Sequence, residues 1–100
     1  MNIVLICNAG MSTGIMQLKL QDEINKRSLD ATVKAVPMVE LDEIIDETDA
    51  ILLAPQIRFA ENDIRKLVSE SVPVVVISAQ DFGLMNVKKV LDDLVSTFPK

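Results

Sequence analysis

The chain has 100 residues, and 10 lysines and arginines against 15 aspartates and glutamates give a formal charge of 10 − 15 = −5. It contains one cysteine and no histidine, tryptophan or tyrosine, which excludes an intrachain disulfide, a histidine-based catalytic triad and the usual Cys/His zinc site. An acidic chain with 3% aromatic residues lacks the basic face or stacking platform of a nucleic-acid binder, so no nucleic acid is expected as a partner.

One hundred residues suffice for one real core, so a single domain over residues 1–100 is expected. Ile3 to Cys7 is an apolar, β-branched run, the mark of a strand covered on both faces. After a glycine-bearing turn, Thr13 to Ser28 carries Met16, Leu20 and Ile24 at helical spacing. Thr32 to Val36 alternates polar and apolar residues and reads as an edge strand. Leu41, Ile44 and Ile45 mark a short helix within the acidic run Glu40 to Asp49, a solvated face rather than a metal site.

Ala50 to Ala54 is a third strand, and Phe59 to Ser71 a helix carrying Ile64, Leu67 and Val68. Val72 to Ile77 is a fourth strand, and Asn86 to Phe98 a last helix carrying Val87, Val90, Leu91, Leu94 and Val95. The alternation βαβαβαβα predicts an α/β fold: an open four-stranded parallel sheet with helices on both faces and right-handed crossovers. Such sheets bind ligands beyond the carboxyl ends of their strands, where the strand order reverses. If the first strand is central, the residues just after it occupy that crevice. The longest apolar stretches, Ile3 to Cys7 and Val72 to Ala79, fall far short of the roughly 18 residues of a membrane span. With no basic n-region or h-region at the N-terminus, and a free thiol, a cytoplasmic location is expected.

Cys7-Asn8-Ala9-Gly10-Met11-Ser12-Thr13-Gly14 holds two of the three glycines, the only cysteine and two hydroxyls, directly before a helix. Gly10 and Gly14 permit turns that aim successive N–H groups inward, and a helix N-terminus attracts an anion. Ser12 or Thr13 can cap the helix and donate a hydroxyl to a phosphate oxygen. Cys7 at the lip of such a cradle is a candidate nucleophile for phosphorus, with the loop neutralising charge on the equatorial oxygens. The spacing fits neither a nucleotide P-loop, which needs a lysine after its second glycine, nor a G-x-G-x-x-G dinucleotide turn.

Cys7-x-Ala9-Gly10-Met11-Ser12-Thr13 after an N-terminal strand resembles the IIB component of the lactose/cellobiose family of the sugar phosphotransferase system (PTS). Leu53-Ala54-Pro55-Gln56-Ile57 is similar to that family's L-G-P-Q-I segment, and Phe82-Gly83-Leu84-Met85 to its Y-G-x-M stretch. Ala54, Phe82 and Asn86-Val87 depart from the frequent Gly, Tyr and Asp-Gly. The resemblance covers essentially the whole chain. It implies a sheet of order 2-1-3-4, like that of low-molecular-weight tyrosine phosphatases, with a phosphate loop after the first strand. It further implies a phosphotransferase in which Cys7 takes a phosphoryl group from phosphohistidine on a IIA protein. The phosphocysteine then passes it to a sugar of cellobiose, chitobiose or lactose type entering through a membrane IIC transporter. No cofactor and no metal are implied, and the carrier meets its transporter only transiently.

Two other readings stand beside this one. A phosphatase or arsenate reductase loop runs C-x5-R, but Thr13 occupies the arginine's place, removing the bidentate cation. Asp81, the nearest candidate acid, reads as a solvated turn residue. A non-catalytic anion-binding module would use Cys7 only for packing. Pro55, Gln56, Ile57, Phe82 and Gly83 are expected to form a partner-facing rim around Cys7, with Met11 exposed at the loop tip. Arg58 reads as solvated, and Lys19 lies too far along its helix for direct phosphate contact.

Overall fold

The structure, a computed structural model, describes residues 1–7 and 11–97, including all their side chains except those of residues 11–13. Four strands, β1 (Asn2–Cys7), β2 (Thr32–Pro37), β3 (Ala50–Leu53) and β4 (Val74–Val76), form one parallel sheet in the order β2-β1-β3-β4. The helices are α1 (Met11–Lys26), α2 (Leu41–Ile44), α3 (Glu61–Leu67), α4 (Ala79–Gly83) and α5 (Val87–Val95). β1 and β3 are central, and from Ile3 to Cys7 and Ala50 to Leu53 every side chain is buried. Full burial on both faces is why these strands are apolar without alternation. β2, at one edge, keeps the half-polar pattern its sequence carries.

Met16, Leu20 and Ile24 are all fully buried, so the stripe on α1 meets the sheet as its spacing requires. Arg27, just past the end of α1, reaches Glu23 at 2.8 Å and Asp92 of α5 at 2.7 Å, tying the two helices together. These partners raise its guanidinium pKa above the ordinary value, the Glu23 hydrogen bond most of all. α1 then ends in a Schellman turn: Leu29 N–H donates to the Ile24 carbonyl and Ser28 N–H to that of Asn25, both at 3.1 Å. Ser28 takes the left-handed conformation this turn needs, with φ of 57°. Met85 does the same after α4, with φ of 53°.

The elements differ from the sequence reading in ways with physical causes. α1 begins at Met11 rather than Thr13, so the second half of the glycine-bearing segment is helical backbone. α2 is a single turn flanked by 3₁₀ turns at Met38–Glu40 and Ile45–Glu47. Asp42 with Asp46 and Glu43 with Glu47 place like charges at i,i+4 with no base between them, which opposes a longer helix. α3 starts at Glu61 instead of Phe59, because Ile57 departs from helical geometry at φ −118° and ψ 23° within the 3₁₀ segment Pro55–Ala60. β4 is shorter than expected because Pro73 has no N–H for the ladder, although its carbonyl still accepts from Ile51 at 2.9 Å.

α4 is an element the hydrophobic pattern misses. Ser78 caps it, its hydroxyl accepting from Asp81 N–H at 3.0 Å. The Ser78-x-x-Asp81 spacing is a helix-start signal in its own right.

Candidate functional site at the C-terminal edge of the sheet

Because the sheet is parallel, all four strands end at one edge. Cys7 closes β1 with its Cα paired to that of Pro37 on β2. Ala54 N–H donates to the Ile6 carbonyl at 3.1 Å, and Ile77 N–H to the Leu53 carbonyl at 2.8 Å. These bonds hold the chain exits of β1, β3 and β4 side by side. In the order β2-β1-β3-β4, successive connections leave β1 in opposite directions, so Cys7 lies at the switch point.

The Cys7 side chain is largely buried, with 7% of its surface exposed. Its thiol donates a weak hydrogen bond to the Val36 carbonyl at 3.8 Å. Asn8, Ala9 and Gly10 lie outside the described residues, as do the side chains of Met11, Ser12 and Thr13. The backbone of residues 11 to 14 forms the first turn of α1, whose free N–H groups and positive dipole end suit an anion. Gly14 belongs to this turn, has no positive φ, and would meet nothing within 4 Å if it carried a Cβ. The expectation that Gly14 supplies a backbone conformation other residues resist is therefore corrected: the helix tolerates a side chain here.

The proposed rim divides into two kinds of residue. Gln56, Gly83 and the neighbouring Arg58 are exposed and Pro55 is half-buried. Ile57 and Phe82 are not rim side chains: Ile57 is fully buried and Phe82 is 7% exposed, both within the core. The most exposed apolar groups on the connections that follow β2, β3 and β4 are Val39, Phe59 and Leu84, at 85%, 75% and 70% exposure. Single exposed apolar residues carry no periodic signal, which is why the sequence does not single them out.

Asp81 is also corrected. It is buried at 9% exposure rather than solvated, and accepts from Asn86 Nδ2 at 3.4 Å. Lys89 Nζ stands 3.9 Å from its Oδ2, and the pairing leaves Asp81 committed to holding α4 against α5. Lys19 is exposed on α1 beyond the first turn. A cavity of about 180 Å³ adjoins Asp81, Lys89 and Asp93, and another of about 170 Å³ lies between Asn2, Lys34 and Glu47; Cys7 lines neither.

Fold and site together define a small doubly wound α/β domain with a lone thiol at its topological switch point. Residues 2–93 match the family model "PTS system, Lactose/Cellobiose specific IIB subunit". The chain is 34% identical over 95 residues to the galactose-specific EIIB component of Lactococcus lactis subsp. cremoris, covering 89% of this chain and 88% of that one. It is equally similar to the cellobiose-specific EIIB component of Lactococcus lactis subsp. lactis, at 34% identity and the same coverage. Among solved structures, the cellobiose-specific IIB component from Borrelia burgdorferi superposes with a TM-score of 0.77 at 34% identity, over 98% of this chain and 91% of that one. The lactose-specific IIB domain from Streptococcus pneumoniae, at 12% identity, shares the fold with a TM-score of 0.83 over 99% of this chain and 98% of its own.

The chain belongs to the lactose/cellobiose-specific IIB family of the PTS. It is a phosphotransferase of sugar uptake, and the sheet order 2-1-3-4 is the one the family resemblance implies. No helix among the described residues is long and apolar enough to cross a membrane.

Proposed function

We propose that Cys7 is the residue that carries phosphate, within a single IIB domain spanning residues 1–100. The observation that supports this most is position: the chain's only thiol ends a central strand at the switch point, and a 16-residue helix begins four residues later. The sulfur attacks phosphorus of a phosphohistidine on a IIA protein. The P–N bond breaks with its electron pair returning to the imidazole, which takes up the proton the thiol gives up, and an S–P bond forms. The thiol gives up its hydrogen bond to Val36, since a thiolate or thiophosphate cannot donate to that carbonyl.

The N–H groups of Asn8, Ala9, Gly10 and the first turn of α1, Met11 to Gly14, with the hydroxyls of Ser12 and Thr13, hold the phosphoryl oxygens. The S–P bond then breaks in favour of a sugar hydroxyl presented by a membrane IIC transporter. Relatives named for galactose, cellobiose and oligo-β-mannoside favour a galactose- or β-glycoside-type acceptor. The carrier works in the cytoplasm and touches the membrane only through its transporter. With Thr13 in place of an arginine, water is a poor acceptor and the phosphocysteine persists.

Incubation with phosphoenolpyruvate, the general PTS proteins and a IIA protein is expected to add one phosphate, found on Cys7 by mass spectrometry and absent from Cys7→Ser. Phosphate located elsewhere, or retained by Cys7→Ser, refutes the reading.

A further inference from the structure

In parallel pairing with β1, Thr32 N–H turns inward to the Met1 carbonyl at 2.9 Å, so the N–H groups of Val33 and Ala35 point away from the sheet. An edge strand normally leaves that row open. Here Ala35 N–H donates to Gln17 Oε1 at 3.1 Å and Val33 N–H to Gln21 Oε1 at 2.9 Å. Gln21 Nε2 in turn donates to the Ala31 carbonyl at 3.1 Å and to Asn25 Oδ1 at 3.2 Å. The next outward position, 37, is proline and has no N–H to satisfy.

The two spacings match. Four residues of helix advance about 6 Å, and two residues of strand about 6.6 Å. An antiparallel α1 can therefore set one glutamine opposite each outward N–H. A slip of α1 along β2 would break both bonds at once and leave part-buried donors unpaired, at a cost beyond that of losing ordinary surface contacts.

We propose that Gln17 and Gln21 form a side-chain ladder that fixes α1 along β2, and that Gln17 is thereby a positioning residue for phosphoryl transfer at Cys7. This rests on the reading of Cys7 as the phosphate carrier. Pro37, at the end of the laddered row, is the Cα partner of Cys7, so the ladder sets the height of the helix start relative to the sulfur's strand. Only an acceptor is needed opposite Ala35, since that contact uses Gln17 Oε1 alone.

The test compares Gln17→Leu, which has no acceptor, with Gln17→Glu, which keeps one. In Gln17→Leu the Ala35 amide exchanges with solvent at least about tenfold faster by NMR. The kcat for Cys7 phosphorylation falls about fivefold or more with KM for the donor unchanged, because orientation rather than docking is lost. Gln17→Glu restores both to within about twofold of the parent. An Ala35 amide that stays protected in Gln17→Leu overturns the ladder. An exposed amide with unchanged kcat overturns the positioning role. Absence of phosphate on Cys7 in the unmodified chain refutes the proposed function instead. The ladder is then judged by exchange and by backbone signals of residues 11–14, which must shift in Gln17→Leu and return in Gln17→Glu.

Discussion

Ile57 and Phe59 stand two residues apart on the connection after β3, yet one is fully buried and the other 75% exposed. Ile57→Ala removes three carbons from the core. At about 0.8 kcal/mol per buried methylene the transfer loss alone is about 2.4 kcal/mol. Incomplete collapse around the cavity brings the expected cost to about 2–5 kcal/mol. That is a large share of the roughly 5–15 kcal/mol that stabilises a domain of this kind. With a urea m-value of about 2 kcal/mol/M, left unchanged, the unfolding midpoint should fall by roughly 1–2.5 M. Phe59→Ala leaves no cavity and should change stability by no more than about 0.5 kcal/mol. If Phe59 belongs to the partner-facing rim, its loss instead raises KM for the phosphorylated donor or lowers transfer to sugar. Far-UV circular dichroism through a urea series, run beside the Cys7 phosphorylation assay, reads both effects. A stability loss below 0.5 kcal/mol for Ile57→Ala, or an equal loss for both variants, would refute the division of this segment into core and surface.

Ser78→Ala removes the cap of α4 and should cost about 1 kcal/mol, with Ser78→Asp retaining most of it; equal midpoints for the serine and alanine chains would count against the cap. Gly14→Ala, placed in open space on helical backbone, should gain about 0.5–1 kcal/mol in the same urea series, whereas a loss would mean that the first turn needs glycine. Ser28→Gly should gain about 0.5–1 kcal/mol, the left-handed strain of a side chain less the entropy of glycine, provided hydrogen exchange finds the end of α1 no more frayed. Lys89 donates to Asp93 at 3.1 Å, and that bond, followed by the charges of Asp93 and Asp81, holds its ammonium above the usual 10.5. Since the folded value exceeds the unfolded one, the pairing's contribution is complete below pH 10.5 and fades as pH rises through the folded value. Lys89→Met should therefore weaken the fold at pH 8 and match the parent well above pH 10.5 in urea titrations; a difference independent of pH would contradict this.

What the sequence made legible was whatever repeats with the period of a regular element. Ile3 to Cys7, and the Met16, Leu20 and Ile24 stripe, needed no tertiary information, because burial on both faces or on one stripe dictates their composition. Ile57 offered no such signal: one apolar residue between Gln56 and Arg58 is core or rim depending only on where a 3₁₀ turn aims it. Asp81 misled for the opposite reason. A charged residue in a short connection is usually solvated, and its burial follows from a capped turn that also buries Phe82, with Asn86 arriving from beyond the turn and Lys89 from α5.

The same contrast bears on how the site is built. The edge on which the thiol lies and the helix that follows it come from alternation and chirality, and any chain with this topology obtains them; the cysteine itself is this sequence's own. The height of that helix along the sheet does not follow from topology alone, because apolar burial is non-directional. A polar contact with a fixed partner can set it. In this chain the stripe of α1 supplies the adhesion and Gln17 and Gln21 supply the register, each bonded to one outward N–H of β2. Two glutamines that lie off the apolar stripe of α1 thus determine where the start of α1 stands beside Cys7, and substitutions there should alter transfer more than their modest burial suggests.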